Sequence, residues 1–158
     1  PEIEGTEVFR LKPEKDATDT QGCLGEVYRR GCAEATLVCA TGGRIDHELA
    51  NLSLLEEARA MGGRLTVLDR QNRIVLHEGG CQKFIMPPEY RYFSIVPLDA
   101  VLQGVTIENA KYPLHEATVT RAGMITISNE AAAGEAFAVT IRDGRALVVF
   151  SRDLNRAL

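Results

Sequence analysis

Nowhere does this 158-residue chain hold about 18 consecutive apolar residues, the length of a membrane-crossing helix, and no signal peptide opens it. It also lacks a basic surplus. A net charge of −4 leaves no electrostatic footprint for nucleic acid, so any phosphate must be met locally by a few placed donors. Cysteine is scarce: Cys23, Cys32, Cys39 and Cys81 fit neither a CxxC metal pair nor a secreted disulfide framework. Three of them fall in segments that read as helix or strand, where Cys packs as a small hydrophobe. Reduced, structural thiols and a cytoplasmic location are therefore expected. His47, His77 and His115 are too dispersed for a zinc site. No internal repeat and no low-complexity stretch is present. An initiator Met is also missing, and an acidic, strand-like segment is already under way at Pro1, as expected of a trimmed chain.

The composition that remains, 45% hydrophobic and 25% charged, suits an ordinary core that needs neither metal nor disulfide. The first half alternates strand and helix signals. Residues 7–11 (EVFRL) read as a short strand, and residues 19–30 as a helix capped by Thr18 or Asp16. Residues 35–40 (ATLVCA) form an apolar run of the kind found where both faces of a parallel sheet are covered. Residues 45–61 carry apolar side chains at 45, 49, 52, 55 and 58, a helical stripe that ends at Gly62-Gly63, and residues 65–68 form the next strand. From residue 73 the period changes. Short β-rich segments recur at 73–77, 81–86, 92–97, 104–108, 118–120, 124–128, 137–142 and 146–151. Asp143-Gly144 reads as a hairpin turn, and Ala122-Gly123 as another. The expected fold is α/β plus all-β: a partial Rossmann-like parallel α/β domain at 1–79, then a C-terminal antiparallel β-sandwich at 80–158, divided at Glu78-Gly79-Gly80.

Two polar clusters follow successive strands of the first half. The segment TGGRIDH opens the second helix. Its two glycines permit a tight turn, the helix start presents unpaired N–H groups, and Arg44 offers a planar donor fork. Asp46, His47 and Asn51 gather on the polar side of that helix start, opposite Leu49, Leu52 and Leu55. Phosphate binding and simple dipole complementation both account for this pattern. The second cluster, KDATD, places Lys15, Asp16 and Asp19 between the first strand and the first helix. Carboxylates there can hold Mg²⁺ while Lys15 offsets phosphate charge, although a polar loop with a capping Thr18 fits equally. In a parallel sheet both clusters fall on one carboxyl edge, where such folds bind ligands.

Lys-Asp-x-Thr-Asp followed by Gly-Gly-Arg-x-Asp-His-x-Leu-Ala-Asn resembles the bacterial thiamine pyrophosphokinases. Weaker similarity extends through FSIVPL (93–98), GVT (104–106), KYPL (111–114) and ISNE (127–130) to residue 153. The resemblance implies transfer of pyrophosphate from ATP to the hydroxyl of thiamine, giving thiamine diphosphate and AMP. It implies that Asp19, helped by Asp16, holds Mg²⁺, and that Lys15, Thr18, Arg44 and the Gly42-Gly43 backbone contact ATP. Asp46, His47 and Asn51 would shape the nucleotide pocket. Ser128 and Asn129 would contact thiamine, in a site shared within a homodimer. Tyr90, Tyr92 and Tyr112 are candidates to stack on the thiamine rings. One departure matters: the family's upstream Gly-Asp-x-Asp-Ser motif occurs nowhere in these residues. This stretch alone is therefore expected to be inactive or weak, and a non-catalytic thiamine- or nucleotide-sensing module is the alternative. With so few α/β strands, self-association is also expected.

Overall fold

The computed structural model describes residues 18–154. The expected strand at 7–11, together with Lys15 and Asp16, lies outside them. Chain order is α1 (Asp19–Arg29), β1 (Glu34–Val38), α2 (Ile45–Ala60), β2 (Arg64–Leu68), β3 (Asn72–His77), β4 (Gly80–Ile85), β5 (Tyr92–Pro97), β6 (Val101–Glu108), β7 (Leu114–Thr120), β8 (Ala136–Ile141) and β9 (Ala146–Ser151). The strands form two sheets, a five-stranded one ordered β1-β2-β3-β9-β5 and a four-stranded one ordered β4-β8-β6-β7. The β1–β2 pair is parallel, joined through α2, and every other named pairing is antiparallel. The fold is thus mixed α/β and mostly β, with a sandwich. A single βαβ unit is what the described residues hold of the expected Rossmann-like sheet.

Side-chain alternation gives the five-stranded sheet two different faces. One carries Ala35, Leu37, Leu65, Val67, Ile74 and Leu147, and packs under Leu24 of α1 and Leu54, Leu55 and Ala58 of α2. The other, over β3, β9 and β5, meets the four-stranded sheet in an aromatic core. Phe93 stacks on Phe137 with ring centroids 4.1 Å apart, and Phe150 meets Phe137 edge-on at 6.2 Å. His77, fully buried, bridges the two sheets. Its Nδ1 accepts the Gly79 N–H at 3.1 Å, which leaves the proton on Nε2, 3.1 Å from the Val139 carbonyl. Burial, the larger influence, lowers the pKa of this ring from its ordinary value, against the smaller raising effect of the Val139 carbonyl. The five-stranded sheet therefore runs across the Glu78-Gly79-Gly80 break, because β3 belongs to it and is the sandwich's neighbour to β9.

Several expectations change. The Asp143-Gly144 turn is no hairpin: β8 and β9 lie in different sheets, so the turn carries the chain across the sandwich. Gly144 is required there, with φ +104 and a Cβ position only 2.8 Å from Leu102 Cδ2. Residues 124–128 form no strand and no Ala122-Gly123 hairpin. They instead lie along the edge of β5, where the Ile95 N–H donates to Thr126 O and the Thr126 hydroxyl to Ile95 O. β1 is not covered on both faces. Its burial alternates and Val38 is 56% exposed, because the second sheet does not reach this far. The α2 stripe is buried at Leu55 and Ala58, while Ile45 and Leu49 at its start are exposed. All four cysteines are free and exposed rather than packed.

Candidate active site

At the carboxyl ends of β1 and β2 lies a cavity of about 720 Å³, lined mainly by Cys39, Thr41, Gly42, Glu48, Asp69 and Arg70. The chain leaves β1 through Cys39, held at φ +58 without being glycine, and turns at Gly42 with φ +86, a conformation that favours glycine. Asn51 of α2 fastens the end of this strand, its Nδ2 donating to Ala40 O at 2.9 Å. Asp69 fastens the neighbouring loop. It accepts the Thr41 hydroxyl at 2.6 Å and the N–H groups of Gln71 and Asn72 at 2.7 Å each. Burial alone would raise its pKa, but these donors outweigh that and hold the carboxyl below the ordinary value.

The Gly42 and Gly43 N–H groups both donate to Oε1 of Glu48, each at 2.8 Å. The donors expected to meet phosphate thus face a carboxylate of their own chain. Arg44 pairs with Asp46 at 2.5 Å on an exposed surface, and that guanidinium lowers the Asp46 pKa. His47 is exposed, and neither it nor Arg44 lines the cavity. Thr18 caps α1, its hydroxyl accepting the Gln21 N–H at 3.1 Å, and Asp19 opens that helix in an exposed position. Among the described residues no three His, Cys, Asp or Glu side chains gather to hold a metal, so they do not by themselves form an Mg²⁺ site.

Ser128 and Asn129 lie elsewhere. Asn129 is buried, and its Oδ1 accepts the N–H of Tyr112 at 3.0 Å and of Glu130 at 2.8 Å, while its Nδ2 donates to Tyr112 O at 2.8 Å. Its backbone bridges to Phe93, and Ser128 beside it is exposed at φ +58. The register row Val38–Leu68–Arg73–Phe150–Phe93 shows that this loop shares one sheet end with the Gly42-Gly43 turn. The two stand at opposite edges: β1 and β5 are four strand spacings or about 19 Å apart, and Asn129, bridged to Phe93, lies one spacing further out. Tyr90 is buried against Phe150, whereas Tyr112 is exposed and Tyr92 half-buried. Sequence reasoning missed Glu48 and Asp69. The acidic residue closing the first turn of a helix was a signal for Glu48, but nothing local marked Asp69.

Residues 2–67 match the family model described as thiamin pyrophosphokinase, catalytic domain, and residues 81–145 match the thiamin pyrophosphokinase, vitamin B1 binding domain. A crystal structure of a thiamin pyrophosphokinase family protein from Enterococcus faecalis is 35% identical with a TM-score of 0.82, over 92% of this chain and 68% of that one. The chain belongs to the thiamin pyrophosphokinase family. The thiamine pyrophosphokinase of Bacillus subtilis (strain 168) is 30% identical over 117 residues, 74% of this chain and 55% of its own length. A crystal structure of the Bacillus subtilis thiamine pyrophosphokinase has a TM-score of 0.84 at 27% identity, covering 89% of this chain and 66% of that one. This family member thus spans about half the length of the curated relatives it matches. Among the described residues no helix is long and apolar enough to cross a membrane.

Proposed function

We propose that these residues serve thiamine pyrophosphokinase chemistry, in which the pyrophosphoryl group of ATP moves to thiamine. The observation that carries the reading is the glycine turn at the carboxyl edge of the parallel pair, with its two N–H donors beside the 720 Å³ cavity, inside the segment that matches the family's catalytic domain. In the reaction the thiamine hydroxyl oxygen attacks the β-phosphorus of ATP. The bond from that phosphorus to the α–β bridging oxygen breaks, AMP leaves, and the hydroxyl proton is released. Such transfer rests on in-line positioning and charge stabilisation. The Gly42 and Gly43 N–H groups and Arg44, released from Asp46, meet the phosphates together with Lys15 and Thr18. Asp46, His47 and Asn51 frame the nucleotide. Asp19 and Asp16 would hold Mg²⁺, which would neutralise phosphate charge there.

Ser128 and Asn129 hold thiamine in this reading. With the buried amide of Asn129 engaged by Tyr112 and Glu130, the exposed Ser128 hydroxyl and the rings of Tyr92 and Tyr112, each with a cation (Arg91 or Lys111) over it, are the groups left to meet it. The five strand spacings, about 24 Å, between this loop and the glycine turn support a homodimer in which each site takes its nucleotide side from one copy and its thiamine side from the other. The assignment divides the work between an ATP-binding α/β part, 1–79, and a thiamine-binding sandwich, 80–158. Four exposed free thiols suit a reducing cytoplasm. The test is incubation of the complete gene product with thiamine, ATP and Mg²⁺, with chromatographic separation of products. Thiamine diphosphate and AMP in equal amounts are expected. A well-folded protein that forms neither would instead be a thiamine- or nucleotide-sensing module.

A further inference from the structure

We propose that Glu48 is an internal stand-in for phosphate, occupying the Gly42 and Gly43 N–H donors until an incoming phosphate displaces it, and thereby weakening anion binding at this turn. The inference rests on the reading of the glycine turn as the phosphate site. One carboxylate oxygen accepts two successive backbone N–H groups at 2.8 Å each, the same arrangement a phosphate oxygen would take. Glu48 also lines the cavity, so a ligand entering there meets its carboxylate directly. The residue is half-buried. Arg70, the one cation among the described lining residues, stands in the same cavity as an alternative partner for either anion.

A capping role alone does not explain the placement. In a capping box an acidic side chain in the first turn reaches back to the N-cap N–H. Here the N-cap is Arg44, yet Glu48 passes it and bonds the two glycines before it. The consequence is a competition. Binding that requires Glu48 to leave is reduced by the fraction of molecules in which it has left.

Inorganic pyrophosphate is the probe, titrated into the ¹⁵N-labelled chain and its Glu48→Gln and Glu48→Ala variants while the Gly42 and Gly43 amide signals are followed. Removing the carboxylate is expected to tighten binding about tenfold, and neutralising it about threefold, because a charge-assisted acceptor is lost or weakened. Both amides are also expected to move in the ligand-free variants. If pyrophosphate shifts the two amides but binds the variants no more tightly than the parent, Glu48 is only a loop anchor and the inference fails by itself. If pyrophosphate moves neither amide in any of the three proteins, the phosphate-site reading fails and takes the inference with it.

Discussion

The two edges of the five-stranded sheet are built on different terms, although both present loops at the same end. At the β9–β5 edge, Phe93 and Ile95 are fully buried, Phe93 is stacked on Phe137, and the flanking loop is sealed by the buried Asn129 and Thr126. At the β1–β2 edge one face is open, Val38 faces solvent, and the loops are held by polar contacts that an incoming ligand can exchange. Rigid aromatic packing thus fixes the loop that would present one substrate. Exchangeable carboxylate contacts of Glu48 and Asp69 line the place where a charged ligand would enter. The contrast teaches that a single sheet can serve as scaffold at one edge and leave the other adaptable, because elements with few buried apolar contacts are the ones that open at low cost.

The largest effect should come from breaking the packed edge. Phe137→Ala empties the ring stack and is expected to cost about 3–5 kcal/mol, read from denaturant midpoints. A loss below about 1 kcal/mol would mean that the aromatic core is no more essential than an average site. Asn129→Ala leaves the Tyr112 N–H and carbonyl without their partner and is expected to cost about 2 kcal/mol. Retained stability there would place the loop among the adaptable elements instead. The smallest effect concerns His77. Because its folded pKa lies below the unfolded value of 6.5, both states are neutral above that value and the ring contributes no pH dependence. As pH falls below it, the unfolded chain takes up a proton that the folded ring refuses, and stability declines. Urea midpoints at pH 7.5 and 5.5 should therefore differ for the parent more than for His77→Gln, and equal shifts would show that the bridge does not titrate.

Local pattern was enough for most elements. β5 and β9 follow their apolar, β-branched runs end to end, and α1 follows its cap at Thr18. Sheet membership was not legible. Asp-Gly between two strands signals a tight turn, but whether those strands pair depends on partners distant in sequence, here β4 and β6 for β8 and β3 and β5 for β9. Met124 and Ile125 looked like strand residues because they are apolar, yet they are exposed on a loop hung from β5. In the candidate site, the glycine turn and its helix stood out because their chemistry is contiguous. Asp69 did not, since its role arises only when β2 places it beside Thr41, 28 positions earlier.

The place of β9 has a consequence for synthesis. The last strand among the described residues is inserted between β3 and β5, in the interior of the five-stranded sheet. Until residues 146–151 clear the ribosome, the inner flanks of β3 and β5 have no strand between them, and their apolar side chains remain in water. Assembly of the sheet is therefore dominated by distant pairings, which fold slowly. A nascent chain stalled before β9 should be a client for chaperones, while one stalled far enough beyond it for residues 146–151 to emerge should already resist proteolysis.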